Sequence, residues 1–334
     1  MKINIASNEV IHFIGIGGIG MSGLAQIMYN MGFTIQGSDL NKNKNTERLI
    51  KKGITVYFGH NQKNVKQATM IVISSAIKKN NEELVASRKK KLPIFKRGVM
   101  LANIVALKKN IVITGSHGKT TTTSLLANIL VEAGLDPTVI NGGVINSLKN
   151  NAQLGRGEWA VIESDESDGS FLKLPITYSI VTNLDKEHLD FYGSFDILKK
   201  SFSTFIEKTP SFGKSLICID NNNLKLLLTK LKTRNFLTYG FSKNSNYQIV
   251  NVKKRINHSI FDLRIKLIHN KIYKIKNIKV NLIGNHNISN TTASIAVALN
   301  LGIQIKKIKK ALKKFSGIQR RFTKVFSLEK KEFY

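Results

Sequence analysis

The chain is poor in cysteine, in acidic residues and in long apolar runs, and each shortage excludes something. Its one cysteine, Cys218, rules out a disulfide within the chain. The apolar run around it, Ser215-Leu-Ile-Cys-Ile219, predicts a buried strand thiol. No apolar run is long enough for a membrane span, and the N-terminus lacks the basic-then-apolar layout of a secretory signal. The expectation is a cytoplasmic protein without a membrane partner. No internal repeat at a fixed period is visible. Asp and Glu number 21 against 52 Lys and Arg, a formal net charge of +31. Such a charge is the footprint of a nucleic-acid binder. The lysines, however, are spread as Lys42/Lys44, Lys78/Lys79, Lys89 to Lys91, Lys108/Lys109, Lys199/Lys200 and Lys306 to Lys314. They form no single stripe, and no helix-turn-helix or RNA-binding signature accompanies them. The charge reads as a drift toward Lys, Asn and Ile, with no nucleic acid as partner. A basic surface still attracts anionic nucleotides.

What the chain does have is a phosphate cradle. Ile111-Val-Ile-Thr-Gly-Ser-His-Gly-Lys-Thr-Thr-Thr-Thr123 reads as a buried strand, a glycine turn and a helix start. Glycines let backbone N–H groups close on phosphate oxygens, and the helix N-terminus adds positive potential. Lys119 is placed to reach the outer phosphates and the Thr120 hydroxyl to meet a magnesium ion. The common Gly-x-x-x-x-Gly-Lys spacing asks for glycine where this chain has Ile113, so the loop, Gly115-x-x-Gly118-Lys119-Thr120, is shorter than usual.

A second glycine signature, Gly15-Ile-Gly17-Gly18-Ile-Gly20, follows a strand at 10–15 and precedes a helix at 21–31. The next strand, 34–37, ends in Ser38-Asp39, which puts an acidic residue about 20 positions after the glycines, as in a dinucleotide-binding β-α-β unit. Alternation continues with helix 46–52, strands 54–57 and 70–74, helix 82–90, strand 93–95 and helix 99–107. This argues an α/β fold, with a Rossmann-like doubly wound parallel sheet followed by a second, ATP-binding α/β domain. At 334 residues the chain has room for about two such domains. The boundaries read as 1–107, 108–317 and a stub at 318–334. In the second domain, helix 121–133 ends at Gly134, and strand 159–162 leads into Glu163-Ser-Asp-Glu-Ser-Asp168. Strand 178–182 leads into Asn183-Leu-Asp-Lys-Glu-His188-Leu-Asp190. Residues 235–283 suggest a β excursion, and helices 288–299 and 306–315 close the domain.

Both acidic motifs fall at carboxyl ends of strands, where open α/β sheets bind ligands. Magnesium takes hard oxygen ligands, and Thr120 and Glu163 supply them; His188 suits a second metal or a phosphate contact. The first glycine loop is open to two readings: a nicotinamide dinucleotide with Asp39 on the ribose, or another nucleotide diphosphate. A dehydrogenase has no need of a second phosphate loop with metal ligands, whereas a ligase that activates a nucleotide-linked substrate with ATP needs both. Gly284-Asn-His286-Asn287-Ile-Ser-Asn290 sets amides at a helix start, either to cap it or to read a nucleoside. Gly317-Ile-Gln-Arg320-Arg321-Phe322 offers arginines for bidentate phosphate contact, or a solvated basic turn.

Taken together, Ile11–Ala25, Thr114–Thr123, Glu163–Phe171, Thr182–Gly193, His286–Asn290 and Phe315–Phe322 occur in the order and spacing of one family. The chain resembles the Mur ligases, and within them the enzyme that adds the first amino acid; the ligase that recycles muramyl tripeptide is the near competitor. The resemblance implies ATP-dependent joining of L-alanine to UDP-N-acetylmuramate through an acyl phosphate, in peptidoglycan precursor synthesis, with ATP and Mg2+. It implies UDP-substrate contacts at Gly15, Gly17, Gly18, Gly20, Ser38 and Asp39. ATP would be held by Gly115, Ser116, His117, Gly118, Lys119, Thr120 and Thr121, with Asn287 and Asn290 at the adenosine. Thr120, Glu163 and His188 would organise metal, and Lys119, Glu163, His188 and Arg321 would serve catalysis. Asp185, Glu187 and Asp190 fall on acidic positions of the family pattern, with Glu187 where Asp is commoner. Members of the family continue into a third α/β domain that helps bind the amino acid and closes over ATP. This sequence stops at Tyr334, so the expectation is a C-terminal domain that is absent or supplied by a companion chain. Other readings are a catalytically silent UDP-sugar- and ATP-binding module and a basic nucleic-acid-associated ATPase.

Overall fold

A computed structural model describes residues 9–106, 108–145, 150–266, 272–317, 326–328 and 331–333. The chain divides into two compact units, 1–107 with 151–154, and 108–150 with 155–334.

The first unit opens with β1 (Val10–Ile14), α1 (Ile19–Asn30), β2 (Thr34–Asp39), α2 (Lys44–Lys51) and β3 (Thr55–Phe58). It continues with β4 (Met70–Ile73), α3 (Glu82–Lys89), β5 (Ile94–Lys96) and α4 (Arg97–Val105). Its sheet has the order β3-β2-β1-β4-β5, and every pairing is parallel. Strands covered on both faces read as continuous apolar runs; here Ile11, Phe13, Ile71 and Val72 are fully buried. The order reverses at β1, which places the glycine turn after β1 at the switch point where such sheets bind ligands. Asn43 and Asn81 cap α2 and α3 with their side chains, satisfying amides that a helix start leaves unpaired.

The second unit runs β6 (Lys109–Thr114), α5 (Lys119–Glu132), β7 (Thr138–Ile145), β9 (Trp159–Glu163) and β10 (Tyr178–Val181), while β8 (Asn150–Gln153), between β7 and β9 in sequence, is grouped almost wholly with the first unit. Then come α6 (Leu189–Tyr192), α7 (Phe195–Glu207), β11 (Ser215–Cys218), α8 (Asn222–Lys230) and β12 (Phe236–Gly240). The elements β13 (Tyr247–Lys254), β14 (Ser259–Lys266), β15 (Ile272–Val280), α9 (Asn285–Asn300) and α10 (Ile305–Lys314) follow. In the sheet the strands run β15-β14-β13-β12-β11-β10-β6-β9-β7. The centre is parallel, and β13-β14-β15 form an antiparallel extension. This extension is the β excursion expected at 235–283, and Cys218 is the buried strand thiol expected from its run. The fold class expected from the sequence is the one observed.

Two features position the site. First, β6 lies between β9 and β10, so the turn after β6 meets the acidic segment after β9 on one side and the segment after β10 on the other. Second, α5 packs on α9, whose buried face is made of small residues such as Ala293, Ser294 and Ala296. Small residues let the helices approach, and Ser294 Oγ donates to Thr122 O at 3.2 Å. Helices α7 and α8 were not expected from the sequence, although Ser194 and Asn221 cap them and Leu198, Phe202, Phe205 and Ile206 give α7 a buried stripe at helical spacing. Phe171 packs against Phe202 and Phe205 with ring centroids 5.4 and 5.1 Å apart, which pins the acidic segment to α7. Among the described residues no helix is long and apolar enough to cross a membrane.

Candidate active site

Beyond Thr114 the chain turns at Gly115, whose φ is 130°. A Cβ there would collide with Thr182 Oγ1 and lie 2.9 Å from Asn183 O, so glycine is what lets the end of β10 close on the loop. Closure is tight: Thr182 Oγ1 donates to His117 O at 2.6 Å, and His117 N donates to Asn183 Oδ1 at 2.7 Å. Asp185 N donates to Ser116 Oγ at 2.9 Å. Gly118 caps α5 in the left-handed region, φ 85°, and a Cβ on it would sit 2.6 Å from Asn290 Oδ1. Asn290 thus lies against the loop, while Asn287 Nδ2 donates to Ile283 O at 2.8 Å and ties the entry of α9. Thr121 is buried in the first turn of α5.

Lys119 folds back over this turn. Its Nζ donates to Gly115 O at 2.6 Å and meets Glu166 Oε2 at 2.9 Å. The pair is largely out of solvent, with side-chain exposures of 14% and 1%. Burial raises the Glu166 carboxyl above the usual carboxylate range, against the opposing pull of Lys119. Beside it, the buried Tyr192 hydroxyl donates to Glu166 O at 2.5 Å, and burial together with the neighbouring carboxylates pushes its pKa up. Thr120 Oγ1 donates to Glu163 Oε1 at 2.9 Å, so these two expected metal ligands meet at adjacent strand ends. His188, in the left-handed region at φ 56°, lies instead beside Glu166, with Nε2 3.7 Å from Oε1. That Oε1 is buried and has no hydrogen-bond partner, an expensive state for a carboxylate oxygen. Asp165, Glu166 and His188 offer ligand atoms all within 4.8 Å of one another. An orphaned hard oxygen among such donors fits a divalent cation. Arg321 and its neighbour Arg320 lie outside the described residues.

In the first unit, the Gly15 and Ile16 amides both donate to Ser38 O at 2.9 Å. The Gly17 amide donates to Asp39 Oδ2 at 2.8 Å, so this carboxylate holds the loop. Gly18 is the N-cap of α1. A Cβ on Gly20 would lie 2.7 Å from Arg97 Nη1, which brings a guanidinium over the glycine turn. Sequence reasoning missed Arg97 as the cation here, and Glu166 as the partner of Lys119. It also missed Glu83, a buried carboxylate contacted by Ser38, His12, His60 and Asn64.

Residues 10–109 match the Mur ligase family, catalytic domain, and residues 113–298 match the Mur ligase middle domain. A UDP-N-acetylmuramate–L-alanine ligase of Pelagibacter ubique (strain HTCC1062) is 58% identical over 334 residues, covering 100% of this chain and 72% of that protein. One from Brucella ovis is 46% identical over 323 residues, 97% of this chain and 68% of that protein. Among solved structures, UDP-N-acetylmuramate-alanine ligase from Thermotoga maritima matches with a TM-score of 0.85 at 28% identity, over 96% of this chain and 71% of that one. The UDP-N-acetylmuramate:L-alanyl-gamma-D-glutamyl-meso-diaminopimelate ligase from Neisseria meningitides matches with a TM-score of 0.82 at 27% identity, over 93% and 99%. Both relatives are longer chains than this one, and they do not support the companion chain that the sequence left open as one alternative.

Proposed function

Because the chain belongs to the Mur ligase family, we infer that it joins L-alanine to UDP-N-acetylmuramate with ATP, in the cytoplasmic synthesis of peptidoglycan precursors. The observation that carries the chemistry is Lys119 held on the buried Glu166 beneath a glycine turn, with Thr120 on Glu163. The choice of L-alanine rests on the names of the relatives.

In the first step a lactyl carboxylate oxygen attacks the γ-phosphorus of ATP. The bond to the bridging oxygen breaks, and an acyl phosphate and ADP result. In the second, the alanine amine attacks the acyl carbon, phosphate leaves, and the nitrogen gives up a proton. Charge spreads over the transferring phosphoryl oxygens, and Lys119 is the cation that meets it. To do so it exchanges its contacts with Gly115 O and Ser116 O for phosphate. Glu166 keeps the ammonium aimed at the loop. Backbone amides of the turn and the N-terminus of α5 receive the inner phosphates. Asn290, against Gly118, and Asn287 are assigned to the adenosine side. Thr120, Glu163, Asp165, Glu166 and His188 are the residues that would hold Mg2+, which supplies charge neutralisation for the phosphoryl group. Gly15 to Gly20, Ser38, Asp39 and Arg97 are assigned to the UDP part, and Arg321 to phosphate near the transfer.

The test is phosphate release from ATP with L-alanine and UDP-N-acetylmuramate supplied singly and together. Release that needs both establishes the ligase. Release that needs the L-alanyl-γ-D-glutamyl-meso-diaminopimelate tripeptide in place of L-alanine moves the chain to the recycling branch. Binding of UDP-N-acetylmuramate without release under either condition makes it a binding module.

A further inference from the structure

The first unit contains a buried polar cluster that the ligase chemistry does not use. Its centre is Glu83 on α3, with both Glu83 and His12 side chains 0% exposed. Oε2 takes Ser38 Oγ–H at 2.5 Å, His12 Nε2 at 3.3 Å and His60 Nδ1 at 3.3 Å. Oε1 takes Asn64 Nδ2–H at 2.6 Å and the Asn61 amide at 3.4 Å. Each group has a determined proton. Gln36 Nε2 donates to Asn64 O at 2.8 Å, which fixes the orientation of its amide. The same nitrogen lies 3.2 Å from His12 Nδ1, so His12 Nδ1 accepts and His12 Nε2 carries the hydrogen toward Glu83. Ser38 has one hydroxyl proton, which goes to Glu83. His60 Nδ1, 3.1 Å from Ser38 Oγ and 3.3 Å from Glu83 Oε2, then faces two acceptors and must carry a proton itself. In the neutral ring this leaves the lone pair on His60 Nε2.

The location gives the cluster a purpose. Ser38 O is the acceptor for the Gly15 and Ile16 amides, so the residue gripped by Glu83 is the one that seats the glycine turn. His60 follows β3 at the same strand-end edge, and its neighbour Gly59 donates its amide to Asp39 O at 2.9 Å. We propose that Glu83 is a positioning residue of the nucleotide site: an ionised brace that seats the glycine turn through Ser38 and locks His60 in the Nδ1–H tautomer. His60 Nε2 is thereby presented as an acceptor for an N–H or O–H donor of the bound uridine. The proposal rests on the reading of this unit as the uridine-nucleotide site. Burial opposes ionisation of Glu83, but hydrogen bonds from His12, Ser38 and Asn64 outweigh it and hold the carboxyl at about 2. The groups facing Glu83 are His12 and His60, with Tyr57 stacked on His12 at 6.3 Å.

The test uses the chain with 15N-labelled histidine at about pH 8, where a histidine of ordinary pKa is neutral. Long-range 1H–15N spectra of the wild type should show His60 as Nδ1–H and His12 as Nε2–H. Glu83→Gln should return His60 to Nε2–H. It should weaken UDP binding by calorimetry about tenfold or more, the effect of one lost hydrogen bond to a charged group, and leave ATP binding unchanged. His60→Phe, which spares the brace, should also lower UDP affinity and not ATP affinity. Wild-type His60 in the Nε2–H form, or UDP affinity unchanged in both variants, overturns the proposal. If the wild type binds no uridine nucleotide, the functional reading of the glycine loop fails instead, and the tautomers alone decide the brace.

Discussion

Glu83 and Glu166 are both buried, with 0% and 1% of their surface exposed, and each is tied to a glycine turn that joins a parallel strand to a helix. They are wired in opposite ways. Glu83 receives hydrogen bonds at both oxygens from side chains and a backbone amide, and its carboxyl is held at about 2. Glu166 has one oxygen on Lys119 and the other without a hydrogen bond, 3.7 Å from His188 Nε2, and burial raises its pKa. A saturated carboxylate is finished when the chain folds, so it holds geometry. One left without a hydrogen bond at an oxygen beside Asp165 and His188 is open to a ligand. The loops repeat the contrast. Gly15–Gly20 gives its first amides to Ser38 O and Asp39, and its cation, Arg97, comes from another element. Gly115–Thr120 carries its own cation and hydroxyl.

The largest effect is expected at Lys119. Lys119→Ala should lower ligase turnover by about a thousandfold, the scale of losing one preorganised charge contact at a transition state. It should also strip Glu166 of its lysine partner. Phosphate release measures the first effect and thermal unfolding the second; turnover within about tenfold of wild type would make Lys119 a structural residue like Glu83 and erase the contrast.

Acid separates the two glutamates by sign. A carboxyl depressed in the folded state contributes stability above its unfolded value, lost as pH falls through the folded one. For Glu83 that window runs from about 4.5 down to about 2, and the loss is about 3 kcal/mol at the conversion of one pKa unit to 1.36 kcal/mol. Glu166 acts the other way. Its raised folded pKa favours folding at low pH, and that contribution is lost as pH rises through the folded value. Protection factors of β1 and β2 amides, taken against the intrinsic exchange rate at each pH, should therefore fall below about pH 4.5, and Glu83→Gln should abolish the fall.

Much of this was legible in sequence, for a physical reason. Strands buried on both faces write themselves as apolar runs, and phosphate turns need glycine at fixed offsets, so β1, β6 and both loops could be read directly. Thr120 with Glu163 was legible because both follow the ends of neighbouring strands. Glu83 was not. It lies 45 residues from Ser38 and 71 from His12, and only the crossover from β1 to β4 brings them together. Glu166 falls inside the acidic motif after β9, but nothing local distinguishes it from Glu163. The turn after β9, pinned by Phe171 on α7, turns Glu166 inward. Helix α7, by contrast, carries local signals in its Ser194 cap and apolar stripe.

Removing the group that waits for a ligand should cost ligand affinity rather than fold. Glu166→Gln and His188→Ala should each weaken Mn2+ binding by about ten- to a hundredfold, the range seen when a metal site loses a supporting group, read by calorimetry on the nucleotide-free chain. Glu83→Gln should leave Mn2+ affinity alone.

The smallest effect is expected from His117, and it tests whether the second loop works through its backbone. The ring is 68% exposed and lies 3.3 Å from Glu187 Oε1 and 3.8 Å from Asp185 Oδ2. Exposed pairs contribute about 0–1 kcal/mol, whereas His117 N and O are both engaged by Asn183 and Thr182. His117→Gln should therefore change stability by less than about 0.5 kcal/mol and leave ATP affinity near that of the wild type. Asn183→Ala, which releases the same residue's backbone, should weaken ATP binding more than the loss of the ring does. The reverse order would mean that the imidazole, and not the shape of the turn, is what this loop offers to phosphate.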